Sequence, residues 1–225
     1  MDDDRTPIVL VHGFASSFEH TWAKNGWVDI LGDLGRPVTG MDLLGHGSAE
    51  RPVDPDAYQA IEEQVAAALP DGPLDGVGFS AGGLVLLRLA VSHPGRFRRL
   101  ALLGVGDNAF GGGDPASVIA ALQGEGDPED IAGEVFRRMA ESAGNDPAAL
   151  VAFLRRASVP LTEADLAAVT VPVLLVFGER DMIGSADRLA AALPQSRLVL
   201  VPGVDHFATV SDFAVIDAVV RFLEG

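Results

Sequence analysis

A serine between glycines, Gly78-Phe79-Ser80-Ala81-Gly82, has the residue types and spacing for nucleophilic chemistry. Residues 74–79 before it are typical of a short strand, and the Leu/Val/Ala run over residues 84–92 predicts a buried helix. Ser80 is therefore predicted to lie at a strand-to-helix corner. Such a sharp turn strains the serine backbone, and it is tolerated because the flanking glycines lack a Cβ atom.

This corner is what is called a nucleophile elbow, because it projects the hydroxyl of Ser80 and leaves the N–H of Ala81 at a helix N-terminus for a developing oxyanion. With 26 glycines in the chain, the motif could also be a turn without chemistry. Asp181 after a late apolar strand and His206 beyond it favour chemistry, since His can take the serine proton while Asp orients the imidazole.

The elbow, the chain order Ser80, Asp181, His206 and the His12-Gly13 pair after an early apolar strand resemble the α/β-hydrolase family over nearly the whole chain. The resemblance implies an α/β fold with a mostly parallel sheet covered by helices on both faces. It implies that Ser80, Asp181 and His206 are catalytic. It also implies that the backbone N–H groups of Phe14 and Ala81 bind the oxyanion, while His12 orients its loop.

Two carboxylates and one histidine compete with this assignment. The Asp42-Leu43-Leu44-Gly45-His46-Gly47 segment is close to the D-x-x-G-H-G turn of the family, in which Asp42 and His46 are ordinarily structural. Asp205 is adjacent to His206, but most loop geometries direct neighbouring side chains apart, so Asp181 is preferred. Possible pocket residues are Gly13, Phe79 and Phe207.

The elements that must position these residues begin with residues 8–11, a wholly apolar strand of the doubly covered, parallel kind. Only seven residues precede it, so the antiparallel hairpin with which the family usually begins is expected to be missing, leaving a reduced, all-parallel sheet. Helices are predicted over residues 18–34 and 54–69.

The chain is expected to form one domain, with residues 1–106 and 160–225 as the hydrolase core and residues 107–159 inserted as a small helical cap. In the insertion, Asp114-Pro115, Asp127-Pro128 and Asp146-Pro147 are typical helix starts. The Gly111-Gly112-Gly113 run lacks the pattern of a phosphate loop and is interpreted as a flexible hinge.

Composition excludes several classes of function. A formal charge of −16, with Lys24 as the only lysine, argues against binding to nucleic acid or to an anionic membrane. The chain has no cysteine, and therefore no disulfide or thiolate site. The acidic N-terminus is unlike a signal peptide, so a cytoplasmic protein is expected. A monomer or homodimer is expected, and no metal or organic cofactor is implied.

The predicted function is a serine hydrolase that cleaves a carboxylic ester, thioester or lactone through an acyl-enzyme intermediate. The partner is a small-molecule ester held in an apolar pocket with few polar anchors. A serine nucleophile disfavours the dehalogenase and epoxide-hydrolase branches, which use a carboxylate. The alternatives that remain are a C–C bond hydrolase, a cofactor-free peracid-forming enzyme, a ligand receptor without turnover, and a lyase.

Overall fold

Six parallel strands form one sheet in the computed structural model, which describes residues 6–127 and 129–225. The acidic N-terminal stretch and Pro128 lie outside the described residues. The sheet order is β2-β1-β3-β4-β5-β6. The strands are β1 (Ile8–Val11), β2 (Val38–Met41), β3 (Leu74–Phe79), β4 (Phe97–Leu103), β5 (Val173–Gly178) and β6 (Ser196–Val201).

Helices flank this sheet. They are α1 (Trp27–Gly32), α2 (Ile61–Ala68), α3 (Ala81–Ser92), α4 (Ala116–Leu122), α5 (Ile131–Ser142), α6 (Pro147–Arg155), α7 (Glu163–Ala167), α8 (Asp187–Ala192) and α9 (Phe213–Glu224). In the described ranges, none of these helices combines the length and the apolar character needed to cross a membrane.

The sheet has a hydrophobic core on each face because successive side chains of a strand point to opposite sides. In β1, Ile8 and Leu10 join the cluster that contains α1 and α9, whereas Val9 and Val11 join the cluster of α2, α3, α7 and α8. All four β1 side chains are fully buried. All five strand pairs in the described residues are parallel, so the all-parallel sheet predicted from the sequence is confirmed.

The helix predicted over residues 18–34 is wrong as a single element. A π-helical turn, Glu19–Ala23, precedes α1, and Gly26 separates them with a φ of 77°. The side-chain amide of Asn25 donates hydrogen bonds to the carbonyls of His20 and Thr21, which a continuous α-helix would use itself. This competition ends the first segment before α1 begins.

The helix predicted over residues 54–69 is also divided. Asp54 caps a 3-10 turn, Pro55–Tyr58, by accepting a hydrogen bond from the N–H of Asp56. The buried Tyr58 donates its hydroxyl proton to the carbonyl of Pro52, which fixes this turn separately from α2.

Between β4 and β5, the chain forms a 3-10 turn, Asp107–Phe110, and then α4, α5, α6 and α7. Asp114 and Asp146 accept N-terminal hydrogen bonds at α4 and α6, as predicted. The start predicted at Asp127 is wrong, because Asp130 caps α5 by accepting a hydrogen bond from the N–H of Gly133.

Candidate active site

Ser80 lies between the end of β3 and the first residue of α3, at the predicted strand-to-helix corner. Its backbone has φ 49° and ψ −114°, in a region that residues with a Cβ atom rarely adopt. The N–H of Ser80 donates to the carbonyl of Leu103 on β4 at 2.8 Å, which holds the corner against the sheet. The strained geometry is therefore imposed by the surrounding fold.

The glycines on either side of Ser80 are required by close backbone approach. A Cβ atom on Gly78 would lie 2.6 Å from the Cα of Gly83, and one on Gly82 would collide with the carbonyl oxygens of Val11 and His12. Both contacts involve backbone, so neither can be relieved by moving a flexible side chain. The spacing in the sequence reflects this crowding between β3, α3 and the end of β1.

The structure brings Ser80, Asp181 and His206 together at the carboxyl ends of β3, β5 and β6. The Nε2 atom of His206 lies 3.0 Å from the Oγ of Ser80. Its Nδ1 lies 3.0 and 2.9 Å from the two carboxylate oxygens of Asp181. His206 and Asp181 are buried, with 3% and 8% of their surface exposed. Asp205 instead accepts a hydrogen bond from the N–H of Ala208.

The imidazole of His206 is held by aromatic rings and by a glycine. Its centroid is 5.0 Å from that of Phe79 and 5.7 Å from that of Phe207. Gly104 has a φ of 60°, and a Cβ atom on it would lie 3.0 Å from the Cε1 of His206. This role of Gly104 was not predicted from the sequence, in which its position at the end of β4 was the available signal.

The segment after β1 lies directly beside Ser80. A Cβ atom on Gly13 would lie 2.7 Å from the Phe79 ring and 3.4 Å from the Cβ of Ser80. The next residues are Phe14, which packs among aromatic rings, and Ala15, whose φ of 58° is also in the left-handed region. Ala81 begins α3, where the first N–H groups have no partner within a helix.

His12 fixes this segment to the turn after β2. Its Nδ1 donates to the carbonyl of Gly13 at 2.7 Å, and its Nε2 accepts from the N–H of Leu43 at 3.0 Å. That pattern requires neutral imidazole, and burial lowers the pKa of His12. His12 therefore orients the loop, in agreement with the expectation.

The side chains of Asp42 and His46 form hydrogen bonds with residues of the surrounding loops and turns and not with Ser80. Burial opposes the charged form of Asp42, but hydrogen bonds from Ser48 and from the N–H of Phe18 outweigh it and lower the pKa of Asp42. The Nδ1 of His46 donates to the carbonyl of Leu44. Burial, reinforced by His12, lowers the pKa of His46 to about 3. The two side chains have the structural character expected of them.

A cavity of about 310 Å³ adjoins the site, since Phe79 and Phe207 both line it and both pack on His206. Gly13 lies close to Phe79 and to Ser80. The surface of the cavity is more apolar than polar, but it carries more polar side chains than the few expected. They come from the π-helical turn and the residues after it, the loop after β1, the end of α5 and the segment before α9. Its other lining residues are Ser16, His20, Thr21, Asn25, Val135, Met139, Ser142, Val210 and Ser211. In the described part of the chain, no three His, Asp or Glu side chains are grouped as metal ligands.

Comparisons with known proteins agree with this architecture. A sequence model of the alpha/beta hydrolase family matches residues 8–218. A pimeloyl-[acyl-carrier protein] methyl ester esterase of Neisseria meningitidis is 30% identical, over 100% of this chain and 79% of its own length. A 2-hydroxymuconate semialdehyde hydrolase of Pseudomonas sp. is 36% identical over 46% of this chain and 38% of its own. The crystal structure of the enol-lactonase from Burkholderia xenovorans has a TM-score of 0.78 at 21% identity, covering 98% of this chain and 92% of that one.

Proposed function

The chain belongs to the α/β-hydrolase family, and on that premise we propose that this hydrolase cleaves a carboxylic ester, thioester or lactone through an acyl-enzyme intermediate. The observation that carries the proposal is the position of His206, whose two ring nitrogens lie within 3.0 Å of Ser80 and of Asp181. Relatives named as esterases support ester cleavage in particular.

In the first half of the reaction, the Oγ of Ser80 attacks the carbonyl carbon while the Nε2 of His206 takes the hydroxyl proton. The carboxylate of Asp181 accepts a hydrogen bond from the Nδ1–H of His206 and stays ionised, which fixes the productive tautomer and stabilises the imidazolium. The carbonyl oxygen becomes an oxyanion. His206 then gives its proton to the leaving group as the bond to that group breaks, and the acyl group remains on Ser80.

In the second half, water attacks the acyl carbon and His206 takes the proton of that water. Collapse of the new tetrahedral intermediate releases the acid and returns the proton to Ser80. In both halves the oxyanion is bound by the N–H groups of Phe14 and Ala81. Removal of one such donor costs roughly 10²- to 10³-fold in turnover, so the placement of these two loops contributes strongly to the rate.

The cavity beside the site supports a substrate of moderate size. At about 30 Å³ for each group of the size of a water molecule, roughly ten non-hydrogen atoms fit into 310 Å³. The apolar rings of Phe79 and Phe207 suit an acyl chain, and the polar wall accommodates a substituent that forms hydrogen bonds. We therefore propose a short to medium acyl ester, neutral overall because of the charge of −16.

We also propose that residues 107–159 act as a cap over a core of residues 1–106 and 160–225. Three residues of α5, Val135, Met139 and Ser142, line the cavity. At Gly112 and Gly113, an added Cβ atom would meet nothing within 4 Å, which is consistent with an open hinge. Movement of the cap would admit the substrate and release the product.

A second candidate is hydrolysis of a carbon–carbon bond beside a carbonyl by the same three residues. The observation that favours it is the 36% identity with a hydrolase whose named substrate, a hydroxymuconate semialdehyde, contains no ester. That identity covers less than half of the chain, so ester cleavage is the preferred proposal.

The test is labelling with a fluorophosphonate probe, mass mapping of the labelled residue, and turnover on a panel of acyl esters and one dienone acid. We expect labelling at Ser80 and ester turnover that Ser80→Ala abolishes. If the probe does not label Ser80, the proposal of a serine hydrolase is wrong. Labelling without turnover favours a receptor, and turnover of the dienone acid alone favours the second candidate.

A further inference from the structure

Asn145 stands at the corner between α5 and α6, and its backbone is tightly fixed. Gly144, with a φ of 65°, donates its N–H to the carbonyl of Glu141. Asn145 donates its own N–H to the carbonyl of Ala140, which completes a Schellman motif at the end of α5. Asp146 then caps α6. The corner therefore presents the side chain of Asn145 from a rigid frame.

The side chain of Asn145 extends out of the proposed cap segment, residues 107–159, and bridges two loops of the proposed core. It is buried, with 7% of its surface exposed. Its Oδ1 accepts a hydrogen bond from the N–H of Gly47 at 2.7 Å, and its Nδ2 donates to the carbonyl of Ser16 at 3.0 Å. Because one partner only donates and the other only accepts, the orientation of the amide is determined.

Ser16 belongs to the loop that carries the proposed oxyanion donor Phe14. Ala15, between them, is fully buried and has a φ of 58°, a conformation that an alanine keeps only when its surroundings impose it. Thr21 donates to the Oγ of Ser16, and Asn145 bonds to its carbonyl. Both hydrogen bonds hold Ser16, which directly follows the strained residue Ala15.

We infer that Asn145 is a positioning residue, which keeps the N–H of Phe14 directed at the oxyanion by holding the carbonyl of Ser16. The oxyanion site is then complete only while the cap is seated, so closure and transition-state stabilisation are coupled. This inference rests on the proposed function. It assigns to Asn145 an effect on the transition state and little effect on binding of the ground-state ester.

The experiment measures kcat, KM, the melting temperature and inhibition by an alkyl boronic acid, a tetrahedral mimic, for Asn145→Ala. We expect kcat to fall roughly ten- to a hundredfold, KM to stay within about twofold, and the boronic acid to bind more weakly in proportion to kcat. The matched control is Asp146→Ala, which removes the hydrogen bond from the N–H of Ala148 that caps α6 and takes no part in the two side-chain hydrogen bonds of Asn145. It should lower the melting temperature and leave kcat unchanged.

Asn145→Asp supplies a second measurement. The carboxyl group can still accept from the N–H of Gly47, but it can donate to Ser16 only when protonated. The ratio of its kcat to that of the wild type should therefore decrease as the pH rises, since the ratio cancels the titration of the catalytic residues.

If the wild type is active, any one of three results overturns the inference. The first is an unchanged kcat in Asn145→Ala, and the second is a kcat loss in Asp146→Ala as large as that in Asn145→Ala. The third is a ratio of the kcat of Asn145→Asp to that of the wild type that stays near one at every pH. A wild type without ester turnover and without labelling at Ser80 overturns the proposed function, and this inference with it.

Discussion

Lowering the pH from 7 to 5 should destabilise the folded chain through His46. The side chain is fully buried, with its ring centroid 5.0 Å from Phe153, 5.7 Å from Phe14 and 5.2 Å from His12. Its Nε2 atom is buried without a hydrogen-bond partner among the described residues. A proton there would create a buried, unpaired charge, which is why burial lowers the pKa of His46 to about 3.

The size of the effect follows from the difference between the folded and unfolded states. In the unfolded chain the pKa of a histidine is about 6.5. Between pH 7 and pH 5 the protonated fraction of His46 in the unfolded state therefore rises from about a quarter to nearly one, whereas the folded state binds almost no proton there. The corresponding loss in the free energy of unfolding is about 2 kcal/mol. This contribution is fully present above pH 6.5 and is lost as the pH falls towards 3.

The assay is urea unfolding of the wild type and of His46→Phe at pH 5, 6, 7 and 8, followed by the fluorescence of the buried Trp22 and Trp27. The decrease in unfolding free energy from pH 7 to pH 5 should be about 2 kcal/mol smaller in the variant. Other groups titrate as well, and burial raises the pKa of Asp75, so only the difference between the two proteins isolates His46. Parallel curves for the two proteins would refute the reasoning.

Three further outcomes are expected. Asp181→Asn should lower ester turnover by roughly 10⁴-fold, whereas Asp205→Asn should retain most of it; the reverse order in steady-state kinetics would move the acid to position 205. Gly82→Ala should reduce the yield of folded protein and the melting temperature, because its Cβ would collide with backbone carbonyls; a wild-type melting temperature would contradict this. Met139→Trp should shift kcat/KM towards shorter acyl chains by filling the cavity, while Ile131→Trp, at an exposed position on the same helix, should not; equal chain-length profiles would argue against this cavity as the acyl site.

The elbow was predictable from the sequence because its constraints are local. Gly78 and Gly82 are close to Ser80 along the chain, and their spacing reports the tight turn directly. Apolar runs revealed β1 and β5 in particular, because these strands are buried on both faces, whereas the edge strands β2 and β6 are partly exposed. The chain order Ser, Asp, His that the family resemblance implies then placed Asp181 and His206 after β5 and β6, where the structure has them.

The polar wall of the cavity could not be predicted from local sequence spacing. It depends on the division of residues 18–34 into a π-helical turn and α1, which brings His20, Thr21 and Asn25 to the cavity. The apolar stripe of that segment predicts one helix, and the competition of the Asn25 amide for two carbonyls is visible only in three dimensions. Substrate preference is therefore less accessible from sequence than reaction type.

The opposite end of the elbow strand shows why the site needs constraints far from it. Asp75, near the start of β3, is fully buried, and Arg36 and Arg98 approach its carboxylate to 2.5 and 2.8 Å. Arg36 also donates to the carbonyls of Thr6 and Leu223, so it joins β3 to the start of β1 and the end of α9. A slip of one residue in β3 would leave this carboxylate unpaired and would turn every side chain of the strand to the other face. The ion pairs thus fix the register at one end of β3, and that register places Ser80 opposite His206 at the other.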